Sequence, residues 1–264
     1  MSESEPTVAS PPPSLLYGVE EAACTALGIA RLRHRSALHS LVVTDDIDLA
    51  RLVHAVITSN WLAGNADANK DRSRQNWRWE LQSQIGPANR SPEVVLERAL
   101  AMAGKSGGIS GWANQIPVAS GLVAGATDGR RAIDLGLRRG ERAYELIELK
   151  IASDTPLYAA VELLGYASLL LLARRNPPSN QPELLNAERI DLRVLAPAAF
   201  YAPFDIAALE RSVDRSVRSL GHEEGIELSF RFDVLPDSLS GSPLPEGAEI
   251  LRLMHDRFAL HGDE

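Results

Sequence analysis

"AIDLGLRRGERAYELIELKI", residues 132–151, holds two aliphatic stretches around the polar turn Arg139-Gly140-Glu141, the pattern of a β-hairpin. Asp134, Glu148 and Lys150 interrupt the aliphatic residues. Successive side chains of a strand point to opposite faces, so Glu148 and Lys150 share one face while Ile147, Leu149 and Ile151 share the other. With the strands paired about Gly140, Asp134 approaches the face of Glu148. Two carboxylates within a few ångströms repel, and one takes up a proton unless a cation joins them. A divalent metal with oxygen ligands resolves that conflict. Lys150, one alternation further on, would then orient a water or neutralise charge developing on a phosphate. Alone, an E-x-K strand is an ordinary cross-strand ion pair, so its surroundings decide the reading.

Upstream, "SPEVVLERALAMAG" (91–104) reads as a helix, with Ser91 as cap, Pro92 at the first helical position and Gly104 as the stop. "GKSGG" (104–108) lacks the earlier glycine of a phosphate loop and belongs to that stop. "NQIPVASGLV" is a strand. "SDTPLYAAVELLGYASLLLLARR" is a long helix capped by Ser153 or Asp154, its apolar surface expected on the face of Ile147, Leu149 and Ile151. "RIDLRVLAP" and "IELSFRFDVLP" are strands separated by the helix "FDIAALERSVDRSVRSL", and "GAEILRLMHDRFAL" is a terminal helix. From residue 92 the order is helix, three strands, helix, strand. That order predicts an α/β fold, a mixed central β-sheet flanked by helices on both faces.

Residues 15–91 read as an N-terminal α+β elaboration of unknown role. It comprises a helix over 15–28, a strand pair in "GIARLRHRSALHSLVV", a helix over 45–59 capped by Thr44, and a strand in "NWRWELQSQI". Trp77 and Trp79 alternate on that last strand, where they fill a core or stack bases. Residues 1–14, "MSESEPTVASPPPS", are acidic and proline-rich, a disordered leader rather than a signal peptide.

Asp134 followed by Glu148-Leu149-Lys150 on a second strand resembles the PD-(D/E)XK nuclease superfamily, whose core has the same helix, three strands, helix, strand order. The resemblance covers residues 92–198, and Ile133 stands where a proline gave the motif its name. In the RecB-like branch the following helix carries Gln-x-x-x-Tyr. Here "ELLGY" places Glu162 and Tyr166 at those positions, with glutamate for glutamine. The resemblance implies a restriction-endonuclease-like core and metal-dependent hydrolysis of phosphodiester bonds in nucleic acid, DNA being the substrate expected. It further implies that Asp134, Glu148 and the Leu149 carbonyl hold Mg²⁺ or Mn²⁺, and that Lys150 activates or positions the attacking water. Glu97, with Glu93 as the fallback, would serve a second ion or its waters, while Glu162 would contact substrate, metal or Lys150. Some members are inactive. The alternative is a catalytically silent module that binds nucleic acid or a partner protein, the N-terminal segment being the surface for such a partner or for a second copy.

Composition narrows the rest. The 264-residue chain carries a net charge of −8, against a protein that coats nucleic acid by bulk electrostatics. Local basic groups remain around the hairpin (Arg130, Arg131, Arg138, Arg139, Arg142) and beside the tryptophans (Lys70, Arg72, Arg74, Arg78), as solvated charges or as phosphate contacts. The single cysteine, Cys24, excludes an internal disulfide or a cysteine-rich zinc site. The histidines show no paired metal spacing, and no nucleophile elbow, Walker loop or dinucleotide fingerprint is present. No run of about 18 apolar residues implies a membrane span, and a cytoplasmic protein is expected.

Overall fold

The computed structural model describes residues 12–39, 41, 47–85, 88–108, 111–123, 131–151, 154–241 and 243–261. The elements run α1 (Val19–Leu27), α2 (Arg35–His39), α3 (Leu49–Ala63), α4 (Pro92–Ser106), β1 (Trp112–Pro117), β2 (Ala132–Arg138) and β3 (Ala143–Leu149). They continue as α5 (Pro156–Arg175), β4 (Arg189–Pro197), α6 (Ala198–Tyr201), α7 (Ala207–Glu223), β5 (Glu227–Leu235), α8 (Ala248–His255) and β6 (Phe258–Ala259). The six strands form one mixed sheet in sequential order. β1, β2 and β3 are an antiparallel meander, β3, β4 and β5 are parallel, and β6 closes the far edge antiparallel to β5.

The two parallel crossovers, through α5 and α7, advance the sheet in the same direction. Right-handed connections therefore place both helices on one face. That face carries Tyr144, Leu146, Ile190, Leu192, Val194, Phe230 and Phe232, and its apolar cluster continues outward through α5 and α7 into α3 and α1. The opposite face, with Ile147, Leu149, Leu195 and Leu235, is covered by Leu96 and Leu100 of α4 and Ile250 and Met254 of α8. α5 is thus clasped between sheet and outer helices, and it is buried around nearly its whole circumference. By length and composition it could cross a membrane, but it lies almost entirely inside the fold, as an all-round apolar helix does at the centre of a large core.

Several expectations are corrected. α5 packs on the face of Tyr144, Leu146 and Glu148, not on that of Ile147 and Leu149, because both faces of the sheet are covered and alternation alone does not say by which helix. Its cap is Thr155, whose hydroxyl accepts from the Tyr158 N–H at 3.1 Å; Asp154 sits just outside in a left-handed conformation, and Ser153 lies outside the described residues. α4 runs through Gly104 to Ser106, with Ser91 and Pro92 at its start as expected. α3 is capped by Asp48, whose carboxylate accepts from the Arg51 N–H at 2.9 Å, while Thr44 lies outside the described residues. The terminal helix stops at His255, and the chain then pairs with β5.

Among its described residues, the regular structure of the N-terminal α+β elaboration is helical, joined by turns and loops. Among the described residues before Trp112 there is no strand. A strand far from the sheet would leave its backbone unpaired. The described part of the expected strand pair instead closes local turns, Ala37 N–H to His34 O at 3.0 Å and Leu41 N–H to Leu38 O at 3.3 Å, while residues 40, 42 and 43 lie outside the described residues. The segment after Trp77 runs beside β1 without forming a ladder, since Trp77 has φ 63°. Asn114 N–H donates to Glu80 O at 3.2 Å and Gln82 N–H to the Asn114 carboxamide at 2.6 Å, which blunts the sheet edge. Trp77 is buried in the core, and Trp79 stacks edge-on against Tyr144. Of the leader, residues 1–11 lie outside the described residues, while Ser14 is buried.

Trp79 also explains Gly136 in mid-strand. A Cβ at Gly136 would stand 2.6 Å from the Trp79 ring and 2.7 Å from Ile116 Cδ1. Gly136→Ala should therefore destabilise by about 1–3 kcal/mol through overpacking. Urea unfolding should show a lowered midpoint with unchanged slope.

Candidate active site

The β2–β3 register pairs Leu135 with Ile147 and Gly136 with Leu146. One step further it sets Asp134 opposite Glu148 on one face. Asp134 is held there by the backbone, its Oδ2 accepting from the Leu149 N–H at 2.8 Å. Glu148 Oε1 accepts from Lys150 Nζ at 2.8 Å, and the same ammonium reaches Glu162 Oε2 at 3.1 Å. Glu162 faces the strand because α5 lies over it. One turn on, the Tyr166 hydroxyl donates to Glu162 Oε1 at 3.0 Å. Asp134, Glu148, Lys150 and Glu162 are thus assembled from two strands and one helix. Lys150 itself is anchored by its N–H to Leu195 O at 3.0 Å.

Glu97 comes from α4 and is 1% exposed. It accepts from Gln115 Nε2 at 2.7 Å. Gln115 faces the register position of Asp134 in the β1–β2 pair and has φ 48°, while pairing continues on either side of it. A left-handed non-glycine residue inside a strand costs about 1–3 kcal/mol and persists where the surroundings over-determine it. Here the twisted backbone accompanies the side chain that holds Glu97. Glu93, the fallback, is engaged beside Glu97. Its Oε1 accepts from the Ile151 N–H at 3.0 Å and ties α4 to the chain just beyond Lys150.

Burial and mutual repulsion set the protonation of these acids. Burial, then the charge of Asp134, pushes Glu97 up to about 9. Burial raises Asp134 to about 6 against the opposing pull of Lys150 and the Leu149 N–H. Glu148 is raised well above the carboxylate range by burial, then by Asp134 and Glu162. Glu162 differs: burial would raise it, but Lys150 and the hydrogen bonds around it hold it below its ordinary value. Burial opposes the charge of Lys150, yet Glu148, Glu162 and Asp134 hold its pKa above normal, so it stands as an ammonium.

Glu148 Oε2 is buried and accepts no hydrogen bond. Its neighbours are carboxylates, which pair with it only through a shared proton or a cation. Hard oxygen donors of this kind suit Mg²⁺ or Mn²⁺. Among the described residues, however, no three His, Cys, Asp or Glu side chains stand ready around one point. Lys150 occupies part of the space between the acids.

Three further residues frame the cluster. Arg131 Nη1 lies 3.5 Å from Glu162 Oε1. Arg33, from the N-terminal segment, stacks with its guanidinium carbon 3.5 Å from the Tyr158 ring centroid and pairs with Asp154. Leu32 O accepts from the Thr155 hydroxyl at 2.6 Å, which pins that segment to the start of α5. Nothing local in the sequence marks Arg33 or Gln115; Arg33 and Asp154 are 121 positions apart. Arg131 stood out only as one of several charges near the hairpin.

A carboxyl whose pKa is raised on folding binds its proton more tightly in the native state, so stability falls as pH rises. The penalty is absent below the unfolded carboxylate values near pH ~4. It is complete above about 6 for Asp134 and about 9 for Glu97. In EDTA, Glu97→Gln should therefore melt several degrees above wild type at high pH and alongside it in mild acid, as read by differential scanning fluorimetry. A constant offset across pH would show that Glu97 does not titrate in that window. Comparison of the chain with protein-family models, with curated proteins and with solved structures finds no match.

Proposed function

We propose that the protein is a metal-dependent nuclease that hydrolyses phosphodiester bonds of nucleic acid, DNA in the first instance, on a restriction-endonuclease-like core. The observation that carries this reading is the convergence of Asp134, Glu148, Lys150 and Glu162, with one buried oxygen of Glu148 facing carboxylates and no N–H or hydroxyl donor. Structural ion pairs are usually completed, whereas an orphaned acceptor among acids leaves room for a cation.

In this reading Asp134, Glu148 and the Leu149 carbonyl hold Mg²⁺ or Mn²⁺, and Glu97 with Gln115 serves a second ion or its waters. The bound ion would supply Lewis-acid polarisation of the phosphate and a lowered pKa of water. Lys150, an ammonium already held by two carboxylates, positions the nucleophilic water by donating to it and offsets charge growing on the phosphate oxygens. Glu162 fixes where that ammonium points, and Tyr166 fixes Glu162. Glutamate in place of the family's glutamine suits this task, since it binds Lys150 as an ion pair rather than a neutral hydrogen bond. Arg33 and Arg131 lie at the rim, where guanidinium groups meet flanking phosphates.

A second reading has its own support. Lys150 already neutralises Glu148 and Glu162, and no ready three-ligand cage exists among the described residues. A silent module that binds nucleic acid or a partner protein would show these features. Incubation of supercoiled, linear and single-stranded DNA with Mg²⁺ or Mn²⁺ separates the two. Cleavage by the wild type should fall by at least about 10²-fold in Asp134→Ala, Glu148→Ala and Lys150→Ala. Glu162→Gln should keep the fold and much of the activity. DNA left intact in both metals but retained in a binding assay would replace the enzyme with the silent module.

A further inference from the structure

We propose that the groove at the hairpin end of the sheet, where Trp79 and Trp112 approach the β2–β3 turn, seats unpaired bases of a single strand of DNA. The groove is open and measures about 880 Å³. Trp79 reaches it from one face of the sheet, where its ring packs over Gly136 and stands edge-on to Tyr144. Trp112 reaches it from the other face, where it joins the apolar cluster of Leu135 and Leu137 and stands edge-on to His255. The groove thus wraps around the start of the edge strand β1. Lys105 of α4 and Glu141 of the hairpin turn, both exposed, complete its wall.

Two features select the ligand. First, the indole Nε1 of each tryptophan is buried and finds no acceptor among the described residues. Buried donors are nearly always satisfied in a folded chain. Two left open in the walls of one groove suit a ligand that brings acceptors of its own. Second, the groove is not a bare anion site. Arg138 is paired with Glu183 and Arg139 with Glu145, while Glu80 lies 3.5 Å from Arg78. Lys105 differs from these arginines: its Nζ donates to Ser83 Oγ at 3.3 Å and has no carboxylate partner among the described residues.

A nucleotide matches this set. Ring nitrogens and carbonyl oxygens of a base accept from indole N–H groups, and its exocyclic amino group donates to a carboxylate such as Glu141. The face of the base stacks on Trp79, which is only partly buried, and the phosphate meets Lys105. In a duplex those edges and faces are already taken, so an unpaired strand is the form that fits. The groove also lies along the strand that carries the carboxylate cluster. Arg138 follows Asp134 by four positions on β2 and shares its face, a separation of about 13 Å. A strand of a few nucleotides spans both. The assignment deepens the nuclease reading and rests on it for nucleic acid as the ligand, but its test needs no cleavage.

Fluorescence anisotropy in EDTA, with a labelled short DNA strand and with the same strand annealed to its complement, tests the groove. The single strand should bind at least about fivefold more tightly than the duplex, the effect of one stacked base. Trp79→Phe and Trp112→Phe remove the N–H and keep an aromatic ring. Each should weaken single-strand binding about three- to tenfold, the span of one hydrogen bond, and Lys105→Gln should weaken it about as much. Lys105 is exposed, so its variant keeps the fold, and a thermal melt checks the other two. If the open donors serve no ligand, the Phe variants shift the melt and leave affinity unchanged. Equal affinity for strand and duplex, no binding of either, or unchanged affinity in all three variants would overturn the groove. Cleavage in Mg²⁺ alongside such a result would leave the nuclease standing without it. Single-strand binding that depends on the tryptophans, with no cleavage, would keep the groove and remove the nuclease.

Discussion

One buried ammonium governs the arrangement. Lys150 lies among Glu148, Glu162 and Asp134, itself and Glu148 buried and the other two partly so. Isolated, any one of these charges would be expensive to bury, and removing a single partner from such a cluster leaves the others uncompensated. The position of α5 follows from this: Glu162 must come down over the end of β3, and the apolar remainder of the helix fits between the sheet and α3. α4 is bound by the same logic from the other side, through Glu93 on the Ile151 N–H and Glu97 on Gln115. The sheet end where charge is concentrated is thus clamped by two helices from opposite faces, which gives the acids fixed positions at the cost of electrostatic tension.

Much of this was legible in the sequence because it is written in short-range periodicity. The hairpin, the parallel strands and the helices α4, α5 and α7 each announce themselves by alternation, by a proline in the first turn or by a long apolar run. The meeting of Asp134, Glu148 and Lys150 follows from strand alternation plus one turn. Glu162 is the one acid in the twenty-residue α5, and its place was readable from the Glu-x-x-x-Tyr spacing that the resemblance supplied.

What was not legible depends on distant partners. A segment such as "NWRWELQSQI" has the alternation of a strand, but the backbone of Trp77 turns left-handed and the chain lies along β1 with isolated hydrogen bonds rather than a ladder. The intended face of α5 could not be read, because a sheet covered on both sides gives each strand two apolar surfaces. Arg33 reaches the cluster only because Leu32 is hydrogen-bonded to Thr155, and Gln115 matters only because α4 brings Glu97 above it.

The burial of α5 also bears on how the chain is made. As the polypeptide leaves the ribosome, a helix apolar enough to enter a bilayer emerges before β4, β5 and α7, which later cover much of it. Lys150 precedes Glu162, so the ion pair and the packing against α3 are available first. Until the last strands arrive, a charge in mid-helix opposes membrane insertion, where central charged residues cost about 2.5–3.5 kcal/mol. The acid that orients the lysine in the finished protein thereby also guards the nascent helix against the wrong solvent.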